Sequence, residues 1–141
     1  MDAPEHIELQ RRVERKIAQA TARHMSNAKW RRLLGLLHSL EVRALRWKFL
    51  GDDRVFCSWV PAPVDLLESC LGDVLPYPYG PYREIEWIEV PHSYPDPASG
   101  EKRPLPERTH EIDRIHARIN RAGVFPATVL DSGLRIVAYS W

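Results

Sequence analysis

Residues 84–90 read EIEWIEV and place three carboxylates, Glu84, Glu86 and Glu89, within one short element. Paired carboxylates work as general acid and base when burial or a like-charged neighbour raises one pKa, and a solvent-facing stripe supplies little burial. The bland alternative is a row of cross-strand ion pairs, with Arg46 and Lys48 on a neighbouring strand opposite Glu84 and Glu86. A third reading is a contact surface for a cationic protein, reinforced by Asp52 and Asp53. His92, His110 and His116 follow no metal-ligand spacing: on a helix His110 and Asp113 share a face while His116 turns away. Cys57 and Cys70 belong to no C-x-x-C or Cys/His pattern and read as structural thiols. Tyr77, Tyr79 and Tyr82, in GDVLPYPYGPY, either line a pocket or pack beneath a loop. No G-x-S-x-G, H-E-x-x-H, Walker A or G-x-G-x-x-G frame occurs, so binding is favoured over catalysis, with no metal and no cofactor.

The elements that position these residues follow from periodicity. Leu9, Val13, Ile17 and Ala20 make a narrow apolar stripe on a charged first helix over Glu5 to about Arg23, a peripheral segment within residues 1–25. Ser26 or Asn27 caps a second helix whose Trp30, Leu33, Leu34, Leu37 and Leu40 keep helical spacing and mark it as core. From Val42 to Leu50 the period changes to two, with Leu45, Trp47 and Phe49 on one face and Arg46 and Lys48 on the other. After the GDD turn, VFCSWV is apolar on both faces and suggests a central strand. Residues 64–71 have the composition of two helical turns.

Ile85, Trp87, Ile88 and Val90 cannot all face inward on a regular strand, and a bulge at Trp87 and Ile88 would restore the pattern. A proline-rich loop over residues 91–106 follows. Thr109 is placed to cap a third helix with Ile112, Ile115, Ile119 and Ala122 inward and Gly123 at its end. ATVL and LRIVAYSW flank a tight turn at Asp131, Ser132 and Gly133. The order αα βββ α ββ implies one α+β domain over residues 26–141, with a largely antiparallel sheet of about five strands and helices on one face. Trp30, Trp47, Trp59 and Trp87 are expected in the core.

A 141-residue chain with 44% hydrophobic and 28% charged residues has the composition of a globular domain. The apolar runs fall short of the ~20 residues that cross a bilayer, and the acidic start is unlike a signal peptide, so a cytoplasmic protein without a membrane partner is expected. The net charge of +1 conceals an asymmetry: residues 51–113 hold thirteen acids against five bases, a net −8, which leaves +9 on the flanks. Such a layout steers charged partners unless the flanks fold against the middle.

Asn27, Lys29 and Trp30 in SNAKWRRLL, the EIEWIEV strand and GLRIVAY resemble the elements of a family of small, uncharacterised bacterial proteins, over about residues 26–140. Similar small α+β proteins serve as immunity proteins beside secreted bacterial toxins. The resemblance therefore implies a cytoplasmic inhibitor that binds a cognate toxin domain, here through the acidic stripe. The alternatives are a nucleic-acid-binding module using Arg11, Arg12, Arg15 and Lys16, and a small enzyme with a tyrosine-lined pocket.

Overall fold

The computed structural model describes residues 3–72 and 80–141. Helix α1 (Ala3–Gln19) presents a mostly charged surface and drives Val13 into the core, leaving it 1% exposed. A two-residue strand β1 (Ala22–Arg23) follows, and the side chain of Ser26 then accepts the Lys29 N–H at 3.1 Å to start α2 (Asn27–Ser39). Trp30, Leu33, Leu34 and Leu37 are buried on α2, as their spacing requires.

The main sheet comprises β2 (Ala44–Phe49), β3 (Val55–Trp59), β4 (Ile85–Pro91), β7 (Ala127–Leu130) and β8 (Gly133–Val137). Its order is β3-β2-β4-β8-β7 and every pairing is antiparallel. Two short ribbons complete the architecture: β1 pairs with β9 (Tyr139–Ser140), and β5 (Ser93–Tyr94) pairs with β6 (Arg108–Thr109). The expected single-domain α+β fold is observed.

Leu45, Trp47, Ile85, Ile88, Leu134 and Ile136 form the inner face of the sheet and share one core with α2 and with Ile112, Ile115 and Ile119 of α3 (Ile112–Ala122). Arg32 ties the two helices, donating from Nη2 to the carbonyl of Ala122 at 2.8 Å and so satisfying an orphan group at the α3 C-terminus. Gly133 has φ +154°, and a Cβ there would stand 2.1 Å from the Val90 carbonyl oxygen. The close β4–β8 approach therefore depends on the missing side chain. Among the described residues no helix is long and apolar enough to cross a membrane.

Several local expectations are corrected. Strand β3 is an edge, not a centre: Phe56 and Ser58 take the inner register opposite Trp47 and Leu45, while Val55, Cys57 and Trp59 project from the outer face. Trp59 is 54% exposed and Cys57 is also exposed, so neither is core. In place of two helical turns over residues 64–71, the chain makes a 3-10 turn at Pro63–Asp65 followed by the isolated bridges Leu66–Leu71 and Cys70–Pro81. Thr109 pairs in β6, and Glu111 takes the cap position before α3 without a side-chain cap hydrogen bond.

Candidate functional site

The face of the sheet opposite the helices places Cys57, Arg46, Glu89, Arg135 and Thr128 in one line across all five strands. Its centre is Glu89, 2% exposed, between Arg46 and Arg135, each about one-third exposed. Glu89 Oε2 accepts from Arg46 Nη1 at 2.8 Å, while Oε1 accepts from Ser132 Oγ at 2.9 Å and Arg135 Nε at 3.3 Å. The Arg135 guanidinium also lies 4.0 Å from the centroid of the Trp87 ring. A buried carboxylate is costly unless paired and hydrogen-bonded, and here three donors from two chain segments satisfy it. Two guanidiniums and one carboxylate leave a local charge of +1, with both cations fixed in orientation.

This geometry redraws the acidic stripe. Pairing through residues 87 and 88 is unbroken, Lys48 to Trp87 and Trp47 to Ile88, so the bulge expected there is absent. The irregularity lies earlier: partners of Lys48 and Phe49 jump from Trp87 to Ile85, leaving Glu86 as the extra residue. Ile85, Ile88 and Val90 consequently face the core, whereas Trp87 faces outward and is half-buried. Glu84 sits in a 3-10 turn, Tyr82–Glu84, and its carbonyl accepts the Leu50 N–H at 2.8 Å. Glu86 pairs with Lys48 at 3.4 Å as expected, but Arg46 answers Glu89 and not Glu84.

The Asp52–Asp53 turn lies at the Glu84 and Glu86 end of the β2–β4 pair. The Arg54 side chain and its backbone N–H hold the Asp52 carboxyl down at about 2, while Asp53 is exposed. Charges from the basic flanks therefore fold onto the acidic middle through Arg46, Lys48 and Arg135 on the sheet, while a converse pair joins Glu14 of α1 to Arg83 of the middle at 2.7 Å.

Beside this row lies a cleft of about 370 Å³ floored by Ala44, Cys57 and Pro91 and bordered by Arg46, Trp59 and the Ser93–Pro97 segment. The proline-rich loop supplies that wall and is braced. Asp96 accepts from the Ala98 N–H at 2.9 Å and from Arg108 Nε at 2.8 Å, bonds that keep its carboxyl below the ordinary range. His110 anchors the base: Nδ1 donates to the Pro91 carbonyl at 2.7 Å, Nε2 accepts the Arg43 N–H at 3.1 Å, and the Tyr94 ring stacks at 4.5 Å. Burial lowers its pKa, consistent with the neutral tautomer these bonds require. A second cleft of about 800 Å³ adjoins the first across Trp59, Tyr94 and Pro97 and carries Arg43 and Arg108.

Of the tyrosines, Tyr77 and Tyr79 lie outside the described residues. Tyr82 is buried, its hydroxyl donates to the Leu67 carbonyl at 2.8 Å, and burial pushes its pKa up to about 12. No group of three or more metal-ligating side chains converges among the described residues. Arg135 and Ser132 were not foreseen as site residues, since nothing local in GLRIVAY or DSG marks them as partners of Glu89, and Trp59 was missed because it was expected in the core. No protein-family model, no curated protein and no solved structure matches this chain.

Proposed function

We propose that this chain is a non-enzymatic binding protein that docks a protein partner on the outer face of its sheet, in the specific form of a cytoplasmic immunity protein that blocks a cognate toxin domain. The observation that carries this reading is the Arg46–Glu89–Arg135 row, an ionic network whose buried carboxylate is fully hydrogen-bonded, on a sheet face that no helix among the described residues covers. Such networks add little stability compared with apolar packing, whereas fixed guanidiniums beside exposed aromatic side chains are the groups that dominate protein interfaces. Trp59, 54% exposed at the edge, supplies the aromatic anchor. The acidic contact surface narrows to Glu84, Glu86 and the Asp52–Asp53 turn, since Glu89 faces its own arginines. These acids lie beside the row and favour one orientation of a charged partner.

The test is site-specific photo-crosslinking in the native host, with the crosslinker at Cys57 on the outer face or at Arg118 on α3, combined with Trp59→Ala. One protein of defined mass should crosslink from position 57 only, and Trp59→Ala should weaken its binding at least tenfold while leaving the fold intact. If that partner is a toxin, the chain should abolish its activity at equimolar ratio. Equal crosslinking from both positions would refute the outer face as the docking surface. Recovery of nucleic acid alone, released by salt, would assign function instead to the exposed Arg11 and Arg12 side of α1.

A further inference from the structure

We infer that the cleft beside the ionic row receives an extended segment of the protein partner in which a carboxylate stands next to an aromatic or large aliphatic side chain. The inference rests on the binding role proposed above and specifies what is recognised. Arg46 uses Nη1 on Glu89, and among the described residues no hydrogen bond engages its Nε or Nη2. Those two nitrogens form one edge of the guanidinium, the edge that grips a carboxylate through two parallel bonds. Glu89 holds the plane in place, so little side-chain entropy remains to be lost on binding.

The other charged groups of the cleft do not compete for an anion. Asp96 is answered by Arg108 and the Ala98 N–H, and Arg46 is the cation among the residues lining this cleft, with Arg43 and Arg108 in the adjoining one. The row carries +1, which matches a singly charged carboxylate better than a doubly charged phosphate. The remaining walls are Trp59, Tyr94, Pro95 and Pro97, surfaces suited to an apolar side chain. The adjoining second cleft shares Trp59, Tyr94 and Pro97 with the first and extends the same surface, giving room for several residues of extended chain.

Cys57 lines the cleft and is exposed, so it reports on occupancy without a known partner. In the full chain carrying Cys70→Ser, Cys57 is equilibrated with three aromatic disulfides of equal size ending in a carboxylate, a carboxamide or an ammonium group, against a competing small thiol. The carboxylate should be captured at least tenfold more strongly than the carboxamide. That preference should fall to within twofold in Arg46→Lys, which keeps a cation for Glu89 but lacks the fork, and capture of all three should weaken in Tyr94→Ala. Far-UV circular dichroism confirms that each variant is folded.

No carboxylate preference, or a preference that survives Arg46→Lys, would overturn the inference. If either result accompanied successful crosslinking from position 57, the binding role would stand without this specificity. Carboxylate capture with no protein crosslinked from position 57 would replace the protein segment with a free small carboxylic acid and overturn the proposed occupant.

Discussion

Replacing Glu89 with Gln preserves shape and removes one charge from the centre of the outer face. The amide oxygen can still accept from Arg46, now 2.8 Å from Oε2, but the NH₂ group must face Arg135 and Ser132, both of which donate to Oε1 in the native protein. Hydrogen bonds to charged groups contribute roughly 1.5–3 kcal/mol each. The two arginines are 34% and 32% exposed, so water answers part of their loss, while the residue at position 89, only 2% exposed, receives little such help. Glu89→Gln should therefore cost about 2.5 kcal/mol. With an unfolding entropy of about 2.1 cal/mol/K per residue, that corresponds to a fall in Tm of about 8 °C.

A triple variant, Arg46→Met, Glu89→Leu and Arg135→Met, provides the contrast, because replacing a whole buried ionic network by apolar groups is commonly neutral or stabilising. Its Tm should stay within ~3 °C of wild type or rise, while partner binding disappears. Thermal and urea unfolding followed by far-UV circular dichroism measures both. A Glu89→Gln variant within about 0.5 kcal/mol of wild type, or a triple variant that loses as much as the single, would refute the assignment of the row to binding over stability.

His110 should make stability pH-dependent. Its folded pKa lies below the ordinary 6.5, so the unfolded chain binds the proton more readily; its contribution is complete above about pH 6.5 and is lost as pH falls below that value. The difference in Tm between pH 7.5 and 5.5 should shrink in His110→Asn, and an unchanged difference would count against the neutral tether. Gly133→Ala should cost about 3 kcal/mol or more in urea unfolding, since it adds a Cβ against the Val90 carbonyl and demands a positive φ. Trp47→Ala, at 0% exposure and with its Nε1–H donating to Ser58 Oγ at 2.8 Å, should lose roughly 3–5 kcal/mol, whereas Trp59→Ala should lose under ~1 kcal/mol. Equal losses would show that Trp59 packs as core.

The sequence by itself determined the elements whose signal is periodic and local. Helix spacing marked Trp30 through Leu37, alternation marked Leu45, Trp47 and Phe49, and a hydroxyl three residues before an amide marked the Ser26 cap. The α+β class followed from the order of those elements. Lys48 opposite Glu86 was also legible, because one cation–acid alternation met another on neighbouring strands.

Tertiary structure decided which strand stands at the edge, where the bulge falls and which face of EIEWIEV is covered. VFCSWV looked central because apolar residues on both faces usually mean burial on both, yet edge placement leaves Val55 and Trp59 as an exposed patch. A one-residue register change at Glu86 turned Trp87 outward. Glu89 looked like a surface acid because its neighbours in the chain say nothing about Arg135 and Ser132, more than forty residues away. A carboxylate becomes the buried hub of an ionic row only when long-range strand pairing brings its cations alongside, and that pairing depends on a glycine at position 133 as much as on the charges themselves.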